Sequence, residues 1–125
     1  QRQLLGARYN ELCDAAGIAR MAQRSDRSSV FAQYTVRLPL CANPSGTSSA
    51  TLREQVQARL KEAGIPTAVH YPLPLNQQPA YAGLCDRPTP VAAQLAQQVM
   101  SLPMSADLSF PQQDAVMHAL RAALA

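Results

Sequence analysis

Apolar residues recur along this chain with two different periods, and the changes of period divide it into elements. Between Gln3 and Ala16 the apolar positions Leu5, Tyr9, Leu12 and Ala16 fall three or four apart, as on one face of an α-helix, and Gly17 follows as a C-cap. From Ala19 to Ser29 the sequence is polar and rich in arginine and serine, which predicts an exposed connection. The period then drops to two. In Val30-Phe31-Ala32-Gln33-Tyr34-Thr35-Val36-Arg37-Leu38, positions 30, 32, 34, 36 and 38 are apolar while Gln33, Thr35 and Arg37 point the other way, the pattern of a strand with one buried side.

Asn43 to Ser49 is turn material, and Thr51 with Glu54 forms a capping box for a helix. Leu52, Val56, Leu60 and Ala63 share one face of that helix, and Gly64 ends it. Pro66 to Tyr71 predicts a short second strand that runs into HYPLPLNQQPAY, residues 70–81, where Pro72, Pro74 and Pro79 stiffen a loop. Thr89 as N-cap and Pro90 at the first helical position open another helix, with Val91, Leu95 and Val99 on one face, and Met100 to Pro103 predicts a third strand. Ser109 with Gln112 caps the last helix, whose Val116, Leu120 and Leu124 would dock on the sheet. The result is an α+β domain, a small sheet of about three strands covered by helices.

Composition narrows the class. The 125 residues suffice for one core rather than two, so the chain reads as a single domain. An apolar fraction of 47% with 15% charged residues excludes a disordered chain, and no apolar run is long enough for a membrane-spanning helix. The net charge is +3, but the arginines are scattered; only Arg20, Arg24 and Arg27 cluster, without aromatics between them, so no nucleic-acid partner is expected. Cys13, Cys41 and Cys85 are odd in number and widely spaced, with no CxxC pair, which argues against both a metal site and a disulfide framework. QRQLLGARYNELC has no apolar signal core, which suggests a cytoplasmic protein, and it enters mid-helix without a capping residue, as would a chain continuing from something upstream.

Little of the usual catalytic chemistry is available. His118 lies on the last helix, where a structural or exposed role is expected, whereas His70 stands where a strand passes into a rigid loop, a place that pre-orients a binding group. A Cys/His nucleophile built from Cys41 or Cys85 with His70 has no local signature for a third, orienting group. No pair of carboxylates stands out, and the five glycines are isolated, so no phosphate-cradling loop is present.

Four segments in order carry a resemblance: RYNELC, then FAQYTVRL, then LKEAGIPTAVHYPLPLNQQPAY, then VAAQLAQQVMSLPMSADLSFPQQDAV. Together, over roughly residues 5 to 124, they resemble the C-terminal small domain of the DegT/StrS family of pyridoxal-phosphate-dependent nucleotide-sugar aminotransferases. The resemblance implies a fold-type I enzyme, usually a homodimer, in which an N-terminal large domain holds pyridoxal phosphate. Such enzymes pass an amino group, usually from glutamate, to a keto group on a nucleotide-linked sugar, for lipopolysaccharide, O-antigen or other surface polysaccharides and antibiotic sugars. The 3-amino uronic acids of O-antigens are one such product class.

Residues 1–17 would then end a helix arriving from that large domain. The cofactor needs a lysine, and the one lysine here, Lys61, lies off the apolar stripe of its helix beside Glu62, so this polypeptide alone is expected to be inactive. His70 and Tyr71 match the family loop that reaches substrate, which implies that they contact the nucleotide sugar or cover the cofactor, and Asn76, where many members have histidine, is expected to face the substrate. Pro103 and Met104 would lie near the domain junction or serve structure alone, and Arg37 would pair with an acid of the large domain or face solvent. A domain cut from such a partner should expose apolar surface around its first helix and the proline-rich loop. The competing class is a free-standing α+β binding module, whose first helix would start with a cap and bury its apolar face within this chain.

Overall fold

The computed structural model describes residues 1–40, 51–81, 83–84 and 87–125. The predicted turn at 43–49, together with Cys41, Cys85 and Asp86, lies outside these. The elements are α1 (Arg2–Ala15), β1 (Ala19–Arg20), β2 (Tyr34–Arg37), α2 (Leu52–Glu62), α3 (Pro90–Gln98), β3 (Val99–Leu102) and α4 (Phe110–Leu124). Two single 3-10 turns, Leu75–Gln77 and Pro79–Tyr81, shape the proline-rich loop.

The sheet has the order β1-β2-β3 and both pairings are antiparallel, with Arg20 opposite Val36 and Val36 opposite Met100. Because side chains alternate, Tyr34 and Val36 of β2 share a face with Met100 and Leu102 of β3. That face is buried beneath Tyr9 and Cys13 of α1, Val56 and Leu60 of α2, and Val116 and Leu120 of α4. Each such leucine or valine withdrawn from water contributes about 1.5–3 kcal/mol, which makes this layer the main stabilising contact. Two buried amides lock elements together: Gln113 Nε2 donates to the Leu5 carbonyl at 2.9 Å, and Gln98 Nε2 to the Leu38 carbonyl at 3.0 Å.

The architecture is the α+β sheet with helices that the pattern predicts, and both capping boxes form as expected. The strands differ in detail. The alternation at 30–38 becomes strand only from Tyr34, because Phe31 sits at φ 45 in the left-handed region and turns the chain, leaving Val30 exposed. The supposed exposed connection supplies β1 at its first two residues. Pro66 to Tyr71 shrinks to a single bridge, in which Ala68 exchanges backbone bonds of 3.2 and 2.8 Å with Ser101; Pro66 and Pro72 lack the N–H groups that a longer ladder needs. On α3 the face reads differently as well: Val91 is exposed, Ala96 and Gln98 are buried, and Val99 already belongs to β3. Ala63, the C-cap of α2, is likewise exposed.

Candidate functional site

The rigid loop begins one residue after the strip tied to the sheet. Ala68 is pinned to Ser101, Val69 follows, and His70 and Tyr71 emerge exposed, with ring centroids 5.8 Å apart and planes near perpendicular at 81°. The peptide joining them is cis. Tyr71 keeps 71% of its surface in contact with solvent, so its phenol and the adjacent imidazole both face outward, ready to donate or accept hydrogen bonds.

Beyond them, Pro74, Leu75, Asn76, Tyr81, Leu84 and Thr89 line a largely apolar groove of about 430 Å³, closed on one side by Ala92 of α3. Asn76 is half-buried here. Its Nδ2 donates to the Arg87 carbonyl at 3.3 Å and its Oδ1 accepts from Thr89 Oγ1 at 3.1 Å. Thus His70 and Tyr71 form one exposed pair, while Asn76 lies further along the loop in a wall of the groove, tied to its own chain. The sequence reading missed the role of Thr89: it marks the start of α3, but its side chain makes no cap bond there and turns to Asn76 instead.

A second groove, of about 480 Å³, lies between α1 and the segment leading into β2, and neither His70 nor Tyr71 lines it. Arg24 and Arg27 on its rim both fork onto Asp26, and the bonds from Arg27 and then Arg24 hold that carboxyl below its usual range. Arg20 is likewise engaged, with two 2.8 Å bonds to Asp14. The arginine cluster is therefore partnered by acids within the chain.

Other candidates occupy structural positions. His118 lies exposed on α4, and Arg37 is exposed at the end of β2. The Pro103 carbonyl accepts the Tyr9 hydroxyl at 3.1 Å, and Met104 packs against the core. Cys13 is a buried free thiol whose pKa burial pushes up, which makes it a poor nucleophile. Lys61 is exposed in the last turn of α2 and is not among the residues that line the groove, so it does not fit the covalent site that pyridoxal phosphate needs. Among the described residues no cluster of His, Cys, Asp or Glu could hold a metal ion, and no helix is long and apolar enough to cross a membrane.

The fold and the site define an α+β domain, a small helix-covered antiparallel sheet that presents an exposed loop with a mostly apolar groove. The chain belongs to the DegT/DnrJ/EryC1/StrS aminotransferase family, which it matches over residues 1–121. It is 46% identical over 103 residues to the UDP-2-acetamido-2-deoxy-3-oxo-D-glucuronate aminotransferase of Pseudomonas aeruginosa, an alignment that covers 82% of this chain and 25% of that protein. To the dTDP-3-amino-3,4,6-trideoxy-alpha-D-glucose transaminase of Streptomyces venezuelae it is 32% identical over 124 residues, covering 97% of this chain and 30% of the relative. Among solved structures, a family aminotransferase from Brucella abortus superposes with a TM-score of 0.77 at 28% identity, covering 97% of this chain and 30% of the other. S. venezuelae DesV in complex with a ketimine intermediate gives 0.77 at 32% identity, covering 98% and 30%. The chain thus spans between a quarter and a third of the length of these relatives.

Proposed function

We propose that this chain is the C-terminal domain of a cytoplasmic, pyridoxal-phosphate-dependent enzyme that moves an amino group from glutamate to a keto group on a nucleotide-linked sugar. The observation that carries this reading is the end-to-end match of residues 1–121 to an aminotransferase family whose named relatives act on UDP- and dTDP-sugars. The similarity to an enzyme of a 3-oxo-glucuronate favours a UDP-linked 3-keto uronic acid as the substrate and a surface polysaccharide, O-antigen or lipopolysaccharide, as the destination. A large domain preceding residue 1, and a second copy of the whole protein in a homodimer, would complete the site. The large domain would supply the lysine and the cofactor, which when bound provides the electron sink for amino transfer.

This chain's own contribution is recognition. His70 and Tyr71 project from a loop whose prolines limit its freedom before any ligand arrives, so less ordering is lost on binding. Imidazole and phenol bond to sugar hydroxyls or phosphate oxygens, and the Asn76 amide retains a second lone pair and a second hydrogen for the same purpose. The test is a visible absorption spectrum of the longer protein purified with pyridoxal phosphate, beside the 125-residue chain. A band in the long form that glutamate bleaches, absent from the short one, is expected; a colourless long form sinks the reading. In that long form, His70→Ala and Tyr71→Ala should each raise KM for the nucleotide sugar about tenfold, the loss of one or two hydrogen bonds, with KM for glutamate unchanged.

A further inference from the structure

No described residue of the proline-rich loop anchors it in the hydrophobic core. From His70 to Val91 every described residue is exposed or half-exposed, and Leu75, Tyr81 and Leu84 remain 69%, 44% and 77% exposed. Core packing therefore cannot be what gives the loop a single shape. Three prolines restrict it locally, and short backbone bonds such as Gln77 N to the Pro74 carbonyl at 3.0 Å close its turns. Among the described residues, the bonds that tie its parts together at longer range come from side chains. Gln78 Nε2 reaches back to the Leu73 carbonyl at 3.3 Å, and Asn76 reaches forward to the Arg87 carbonyl and to Thr89.

Thr89 is the informative partner. A threonine immediately before a helix ordinarily turns its hydroxyl onto the first free N–H groups of that helix. Here the backbone stands at φ −119 and ψ 68, no side-chain cap bond forms, and α3 begins on Pro90 without one. The hydroxyl instead lies half-buried in the wall of the groove and donates to Asn76 Oδ1. The helix forgoes a stabilising cap, and the loop gains a clasp.

We infer that Thr89 is a positioning residue: its bond to Asn76 ties the proline-rich loop to the start of α3, which keeps the groove preformed and holds the loop that carries His70 and Tyr71 in one conformation. The clasp itself is independent of what the loop binds; its value for substrate recognition rests on the aminotransferase reading.

Hydrogen exchange read by mass spectrometry tests the clasp on the 125-residue chain. Thr89→Val keeps the shape and removes the donor. Exchange within residues 71–89 should rise about tenfold, the opening expected on loss of one hydrogen bond, with Tm and exchange elsewhere unchanged. Thr89→Ser should restore the parent rates, and Asn76→Ala should open the loop more than Thr89→Val does, since it removes the bond to the Arg87 carbonyl as well. Unchanged exchange in Thr89→Val, or a rise spread equally through β2 and α4, overturns the proposal. In the longer enzyme, Thr89→Val should raise KM for the UDP-sugar about tenfold with kcat held within about twofold. A loosened loop with KM unmoved overturns the positioning role, whereas a long form that aminates no nucleotide sugar overturns the proposed function and leaves the exchange result to decide the clasp.

Discussion

Tyr9, Cys13 and Tyr34 bring three ionisable side chains together in the core, the two phenol rings with centroids 4.7 Å apart. Each phenol keeps a hydrogen-bond partner, Tyr34 Oη donating to Asn10 Oδ1 at 2.8 Å and Tyr9 Oη to the Pro103 carbonyl, so their neutral forms are satisfied. Burial, with the neighbouring Cys13 thiol second, pushes both phenols well above the usual 10.0, and burial raises Cys13 from 9.0. The sign follows from proton release. Above about pH 9 to 10 the unfolded chain ionises these groups and the folded chain does not, so stability is whole below that window and is lost as pH climbs toward the raised native values. Urea midpoints should be flat from about pH 7 to 9 and then decline, each tyrosine contributing about 1.4 kcal/mol per pH unit above 10. Tyr34→Phe should remove one share of that slope. A midpoint constant to pH 11 would show that these groups ionise freely in the fold.

At the scale of elements, α1 meets the segment entering β2 with almost no clearance. A Cβ added at Gly6 would lie 2.5 Å from Phe31 ring atoms, and the Phe31 backbone is already left-handed, which leaves the ring little room to retreat. Gly6→Ala should therefore lower stability by about 1 kcal/mol, the overpacking cost outweighing the roughly 1 kcal/mol that alanine brings to a helix interior. A denaturant midpoint above the parent's would refute that contact. The two capping boxes are separate devices: in α4, Ser109 Oγ accepts from Gln112 N while Gln112 Oε1 accepts from Ser109 N, and Thr51 and Glu54 do the same for α2. Ser109→Ala and Thr51→Ala should each cost about 1 kcal/mol and, sharing no partner, should add within about 0.5 kcal/mol. Equilibrium melts of the two single variants and the double variant check both figures.

For the whole molecule, exposed large apolar side chains gather on the proline-rich loop as expected, with Tyr71, Leu73, Leu75, Tyr81 and Leu84, but α1 contributes only Leu4 among the described residues, and Met21, Val30, Leu40, Val91 and Phe110 are exposed elsewhere. The first helix itself fits a free-standing module only in part: it has no side-chain cap, yet Leu5, Tyr9 and Cys13 are buried within this chain. The membership in an aminotransferase family weighs against that alternative.

Helices, caps and class were legible in the sequence because they are local: Thr51 with Glu54, Ser109 with Gln112, and the apolar positions on α2 and α4 lie within one or two helical turns of one another. The loop was legible too, since three prolines announce it wherever the chain places them. What only the tertiary structure decided is pairing at long range. Whether Ala68 extends a strand depends on Ser101, where the strand at 30–38 begins depends on how Phe31 seats against Gly6, and the cap expected of Thr89 is lost to Asn76. Each of these choices sets a local preference worth about 1 kcal/mol against a contact dozens of residues away or across a folded loop. A local pattern cannot see such a partner, and the assembled fold supplies it.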